Sequence, residues 1–239
     1  MRTAGLAGLA VLATLAGCAA DAEPAPPGSV PRQPAGPATP STPPAAPASP
    51  APTATSSPQP EAAALVTAGK PRTARISIPD LGLRGMRVVP YVGTPDDRPG
   101  TDIQDAGDLA APHGSGGLVG PGGLGNFLVT GHRTSSTRPF ADLPSLRAGA
   151  KVVVVSGQHR LVYEIVRTRE TSFRRPASLR AQSAAVPGHV GRAPTRAMIT
   201  LSTCATPEDH AAGNFWSDEL HNPEHRIDKI GVLRSIEPR

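Results

Sequence analysis

The chain has 239 residues, with 24 Lys and Arg against 19 Asp and Glu, a formal net charge of +5. Its basic residues are scattered, without a dense run or interleaved aromatics, which argues against a nucleic-acid partner. Two cysteines, Cys18 and Cys204, are too few for a disulfide framework, and with aromatics at only 3% any core must be built from Val, Ile, Leu and Ala.

In chain order, residues 1–18, "MRTAGLAGLAVLATLAGC", have one positive charge at Arg2, an apolar stretch and small residues before Cys18. That is export-signal architecture. The ending Leu15-Ala16-Gly17-Cys18 resembles a bacterial lipobox, which implies lipidation of Cys18 and cleavage just before it. An uncleaved transmembrane helix is the competing reading, although Gly5, Gly8 and Gly17 weaken it as a helix. Residues 19–69 are dominated by Pro, Ala, Ser and Thr. Such a segment buries too little apolar surface to offset its ordering entropy and reads as a disordered spacer. In polyproline geometry, ~3.1 Å per residue gives it a reach on the order of 100 Å.

Residues 70–239 have mixed charge, β-branched runs and regular turn signals, enough for one core. "ARISIPDLGL" opens with alternation at Ile76 and Ile78 and ends in a Pro-Asp turn. "LRGMRVVPYV" reads as a second strand. Residues 93–125, rich in Gly, Pro and Asp, are expected to form loops with a short helix. "NFLVTGH" is a continuous apolar run, the pattern of a strand buried on both faces. "RPFADLPSL" suits a helical turn. "AKVVVVSGQHRLVYEIVRTRETS" reads as two strands around Gly157, and "TRAMITLSTC" and "RIDKIGVLRSIE" as two more. No segment with helical period is long enough for a layered α/β fold. The expected class is mainly β: a closed or nearly closed barrel of seven to eight strands with one or two short helices.

Within this domain Cys204 has no cysteine to pair with. It ends a strand on which Met198, Thr200, Ser202 and Cys204 share one face, a row that becomes smaller and more polar toward the thiol. Ser202 and Thr203 are its neighbours. By itself this also fits an inert buried thiol. His132, in "LVTGHR", follows the most apolar run of the domain and is held by a strand and a glycine; alone it also fits a surface histidine. Arg226 opens the last strand. Its permanent charge would favour a nearby thiolate or stabilise an oxyanion; alone it fits a solvated arginine.

The order His, Cys, Arg, each at a strand end, resembles the sortases, cysteine transpeptidases that attach surface proteins to Gram-positive cell walls. The residues carrying the resemblance are "TGHRTSSTRPF" around His132, "TLSTC" ending at Cys204 and "EHRIDKIGVL" around Arg226. It spans about residues 70–239 and is nearest to class E of actinobacteria. The resemblance implies a barrel in which Cys204 is the nucleophile, His132 the general acid and base, and Arg226 the holder of the substrate carbonyl. Ser202, Thr203 and Trp216 are candidate substrate contacts. It further implies partners: surface proteins with a Leu-Pro/Ala-X-Thr-Gly-like sorting signal, a peptidoglycan amine as acceptor, and a membrane reached through the N-terminal segment. The protein would sit on the extracytoplasmic face of the cell membrane and reach into the wall. Ser136 stands where class E members commonly have tyrosine.

Other motifs carry less. Pro223 interrupts the His221–His225 spacing, so no zinc helix is expected. Glu208, Asp209 and His210 read as a solvated acidic loop, and no metal is assigned. "HGSGG" and "GPGGLG" lack the phosphate-loop lysine, so no cofactor is indicated. Two other functions remain open on sequence alone. One is an L,D-transpeptidase or another wall-acting cysteine peptidase; the first of these places His-Gly where this chain has Ser202 and Thr203. The other is a non-catalytic β-barrel lipoprotein that binds a partner.

Overall fold

A computed structural model describes residues 69–239. The export signal with Cys18, and the spacer up to residue 68, lie outside the described residues.

The first strand, β1 (Ala74–Ile78), follows the alternation in its sequence: Ala74, Ile76 and Ile78 point inward, and Arg75 points out. A 3-10 turn at Pro79–Leu81 is closed by Gly82, whose φ of 65° suits glycine and whose N–H bonds the Pro79 carbonyl at 2.9 Å. The chain returns antiparallel as β2 (Leu83–Val92). Helix α1 (Arg98–Asp105) then carries it to β3 (Leu109–His113), parallel to β2. Asp97 caps α1 by accepting the Gly100 N–H at 3.1 Å. β4 (Gly125–Thr130) follows, and a 3-10 turn at Leu143–Ser145 leads into the hairpin of β5 (Lys151–Ser156) and β6 (His159–Ser172). Helix α2 (Pro176–Gln182) precedes β7 (Ala197–Cys204), which runs parallel to β4. Helix α3 (Thr206–Ala211) precedes β8 (His225–Pro238), which lies antiparallel between β7 and β6. The sheet closes as β1-β2-β3-β4-β7-β8-β6-β5.

The expected class holds: the described residues form a closed eight-stranded barrel with few and short helices. Two details differ. Among the described residues three short α-helices occur rather than one or two, each with proline in its first turn, and six to eight residues are too few to show a helical period. Residues 93–125 also contain a strand, β3, in addition to the helix. Its sequence LAAPH has no β-branched residue and includes Pro112, so nothing local marks it. Pairing with β2 across five positions holds it in the sheet.

Strand parity determines where chemistry can sit. Along β4 and β7, Phe127, Val129, Ile199 and Leu201 face the barrel interior with Ile76, Leu161 and Tyr163. Burying such aliphatic side chains contributes about 1.5–3 kcal/mol each. The alternate positions, including Leu128, Thr130, Thr200 and Ser202, face outward but are also buried. The region of α2 covers them: Asn126 Nδ2 donates to the Gln182 and Ala184 carbonyls at 2.9 and 3.2 Å. β4 is therefore buried on both faces, as its unbroken apolar run requires.

Candidate active site

Cys204 is the last residue of β7, and the register sets it opposite Arg226 on β8. Ser202 is likewise opposite Thr130 on β4. Past the end of β4 the ladder continues for one residue. The Gly131 N–H donates to the Ser202 carbonyl at 3.2 Å, and the Gly131 carbonyl accepts the Thr203 hydroxyl at 2.7 Å. His132 thus comes level with Cys204 at the same barrel rim and on the same outward face. Gly131 is required there. A Cβ on it would come within 2.4 Å of Leu109 Cδ2 and 2.8 Å of Phe140 Cδ2, both side chains buried in the core. The His132 carbonyl accepts the Phe140 N–H at 3.1 Å, which closes the loop behind the imidazole.

Among the described residues the thiol and the guanidinium touch directly: Cys204 Sγ accepts from Arg226 Nη1 at 2.6 Å. The His132 ring takes a different partner. Its Nε2 lies 2.7 Å from Oδ1 of Asp105, the last residue of α1, and no hydrogen bond joins it to the sulfur. Asp105 therefore sets the ring's orientation and leaves Nδ1 without a partner among the described residues.

Arg226 is almost wholly buried, at 2% exposure. Its Nη2 donates to Asn222 Oδ1 at 2.7 Å and lies 2.9 Å from Asp96 Oδ2, and its Cζ sits 4.6 Å from the centre of the Phe173 ring. Burial works against the charge, but Asp96, Cys204, Asp228 and Asp218 outweigh it and hold the arginine pKa above its ordinary value. The thiol goes the other way from expectation. Burial pushes the Cys204 pKa up, the nearby Arg226 charge lowers it, and Asp96 raises it again. The net direction is upward, so the resting group is a protonated thiol. The expectation that Arg226 favours the thiolate is right in sign but is outweighed by desolvation.

Ser202 and Thr203 are both buried and bonded to the protein's own groups. Thr203 points inward, is fully buried and holds Gly131, while Ser202 is buried beneath α2 and accepts from Gln182 Nε2 at 3.1 Å. Both are structural ties between the strands that carry Cys204 and His132. Trp216 is half-buried with Arg174 5.7 Å above its ring. The adjoining cleft, about 1280 Å³, is lined by other residues of the same loop, Asp218 to Leu220. Its remaining walls come from Thr94–Arg98, Ser115–Gly117, Phe173 and parts of the chain between Leu179 and Ala193. Asp96 and Phe173 both line the cleft and touch Arg226, so the cleft leads to the guanidinium.

The supposed acidic loop at 208–210 is helical. Asp209 is buried and accepts from the His225 N–H at 3.0 Å and pairs with its Nδ1 at 2.6 Å. Glu208 forms a two-point ion pair with Arg133, and Arg133 Nη1 donates to the Cys204 carbonyl at 3.3 Å. No group of three or more His, Cys, Asp or Glu able to hold a metal occurs among the described residues. Sequence reasoning missed Asp96, Asn222, Asp105 and Arg133. Only Arg133 carried a local signal, being next to His132.

A family model described as a Sortase domain matches residues 76–216, more than half of the chain. Solved structures with similar folds include the SrtA sortase of Actinomyces oris (20% identity, TM-score 0.52, covering 72% of this chain and 84% of that one). Sortase E1 of Streptomyces coelicolor, with a tripeptide in its active site, matches at 22% identity and TM-score 0.52, covering 72% and 93%. Sortase E of Streptomyces avermitilis is 26% identical, with TM-score 0.49 and coverage of 71% and 91%. Among curated proteins nothing matches.

Proposed function

The chain belongs to the sortase family of cysteine transpeptidases, and from that premise we propose that Cys204 is its nucleophile, Arg226 its oxyanion donor and His132 its acid–base group. The observation that carries this reading is the 2.6 Å contact between Arg226 Nη1 and Cys204 Sγ at the open rim of the barrel, with His132 level with them on the neighbouring strand.

The substrate is a surface protein carrying a Leu-Pro/Ala-X-Thr-Gly-like sorting signal, of the class E kind, laid in the cleft beside Asp96 and Phe173. The thiol loses its proton to His132 and the sulfur attacks the Thr carbonyl carbon. Negative charge collects on the carbonyl oxygen, where the guanidinium donates to it; a buried donor is effective there because little water screens it. The C–N bond to Gly breaks as His132 returns a proton to the leaving amine, which leaves an acyl thioester on Cys204. A peptidoglycan amine then attacks the thioester. His132 takes the amine's proton, the C–S bond breaks, and the thiol is regenerated. Splitting one amide exchange into two thioester steps lets a single acid–base group serve both. The raised thiol pKa means that only a minor share of the enzyme carries the thiolate at neutral pH.

We place the protein on the extracytoplasmic face of the membrane, held by a lipid on Cys18 or by an N-terminal span, with the Pro-rich segment carrying the domain into the wall. The test is intact-mass analysis after incubation with a sorting-signal peptide. A thioester adduct is expected on the wild-type protein and none on Cys204→Ala. A Cys204→Ala protein that still cleaves and transfers the peptide overturns the assignment.

A further inference from the structure

Asp96 has features that the reaction as described does not use. It is a carboxylate only 4% exposed, in a loop that lines the cleft, with a backbone φ of 58°. Non-glycine residues avoid that region, and Asp and Asn are among the few that tolerate it. Three contacts fix it. Gln104 Nε2 donates to its Oδ1 at 2.7 Å, Asn222 Nδ2 donates to its backbone carbonyl at 3.2 Å, and Arg226 Nη2 lies 2.9 Å from its Oδ2. The last is an ion pair by distance, without a hydrogen aimed at the oxygen: Oδ2 has no hydrogen-bond partner among the described residues. Gln104 is itself 3% exposed and sits on α1, one residue before the Asp105 that holds His132. One short helix therefore supports both the acid–base group and the group that orients the guanidinium.

We propose that Asp96 is a positioning residue for transpeptidation: it draws Arg226 Nη2 away from the Cys204 sulfur, so that only Nη1 meets the thiol and the guanidinium is set for the substrate oxyanion. The proposal rests on the reading of Cys204 and Arg226 given above. Without that pull both terminal nitrogens could turn to the sulfur, and a guanidinium engaged there through both cannot also meet the carbonyl oxygen. Asp96 draws Nη2 the other way, Asn222 takes the same nitrogen, and the Phe173 ring forms one face of the cage. Arg226 Nε is buried without a hydrogen-bond partner among the described residues. The charged and titratable groups around the thiol are Arg226 from β8, Asp96 from the β2–α1 loop and His132 beyond β4, while Arg133, paired with Glu208, contacts the Cys204 carbonyl. Asp228 and Asp218 act on Arg226 from farther away. Of these, Asp96 alone pulls against the arginine at contact distance.

The proposal predicts opposite changes in two rates. In Asp96→Asn, which keeps the left-handed backbone conformation accessible, Arg226 Nη2 loses the charge that draws it from the sulfur. Alkylation of Cys204 by iodoacetamide should become faster at neutral pH, with its pH profile moved to lower pH. Transfer of a sorting-signal peptide to an amine should fall by on the order of tenfold to a hundredfold, the usual cost of a misplaced group. Gln104→Met, which removes the anchor of Asp96 but no charge, should change both rates in the same directions by less, and guards against a loss of folding in the first variant. A slower transfer with an alkylation profile that overlays the wild type, in either folded variant, overturns the proposal and leaves Asp96 a structural residue. Unchanged transfer overturns it as well. Failure of the underlying reading is distinguishable, since it appears as transfer activity surviving in Cys204→Ala.

Discussion

Replacing Arg226 by methionine separates its role in the fold from its role in the reaction. Methionine fills much of the same space over the Phe173 ring but removes all donors. Asp96 Oδ2 then loses the one cation paired with it among the described residues while remaining 4% exposed. Breaking a buried ion pair from one side costs about 3–5 kcal/mol, because the remaining charge stays desolvated. That is a large share of the stability of an ordinary domain. The double variant Arg226→Met with Asp96→Asn removes the orphaned charge and should recover most of the loss, since Gln104 and Asn222 can still bond the amide and the backbone. Catalysis should not recover. Loss of an oxyanion donor costs about a hundredfold to a thousandfold in turnover, and the double variant has no donor to replace it. Urea unfolding followed by circular dichroism gives the first quantity, and quantitative mass spectrometry of thioester and transfer product gives the second. If the double variant regained transfer along with stability, Arg226 would be a scaffold residue and the oxyanion assignment would fail. If the single variant unfolded like the wild type, Asp96 would not be held there as a carboxylate.

Three further outcomes follow from contacts described above. Gly131→Ala drives a Cβ into Leu109 and Phe140 and should destabilise the domain by about 1–3 kcal/mol, with a fall in thioester formation as His132 is displaced; an unchanged melting temperature would show that the core yields there. Thr203→Val keeps the volume but loses the 2.7 Å bond to the Gly131 carbonyl, at a cost of about 1 kcal/mol; a raised KM at unchanged stability would instead make Thr203 a substrate contact. Partial burial opposes charge on His225, but Asp209, Glu170 and Glu224 raise its pKa above the ordinary 6.5. The stability this confers is fully present below the unfolded value and is lost as pH rises through the raised folded one. The gap between wild type and Asp209→Asn should therefore be widest below about pH 6.5 and narrow above it; a gap independent of pH would leave only the bond from the His225 N–H to Asp209.

Most of the barrel was legible because its strands carry their environment in their sequence. β1 alternates, and β4 is buried at every position because α2 and its following loop cover the outer face. β3 was not legible: LAAPH becomes a strand only because β2 lies beside it. The short helices escaped notice for want of length. The order His, Cys, Arg pointed to the family that the domain match supports, whereas a histidine-glycine pair before the thiol would have pointed to L,D-transpeptidases. The period of two along β7 also held information that adjacency to the thiol obscured. Thr203 is odd where Cys204 is even, so its side chain had to point into the barrel. Asp96 could not be found this way, since a carboxylate in a Gly/Pro/Asp-rich loop has no pattern to mark it. Its partner Arg226 lies 130 residues away by numbering, and only closure of the sheet brings them together.

β8 inserts between β7 and β6, and it alone carries Arg226 to the thiol. Before that strand docks, Cys204 ends an incomplete sheet, without the cation that meets its sulfur. Chemical competence is therefore all-or-none with barrel closure. A chain threaded unfolded through a narrow channel would carry no half-built transferase able to acylate itself on the way, and its reactivity would begin only where folding finishes.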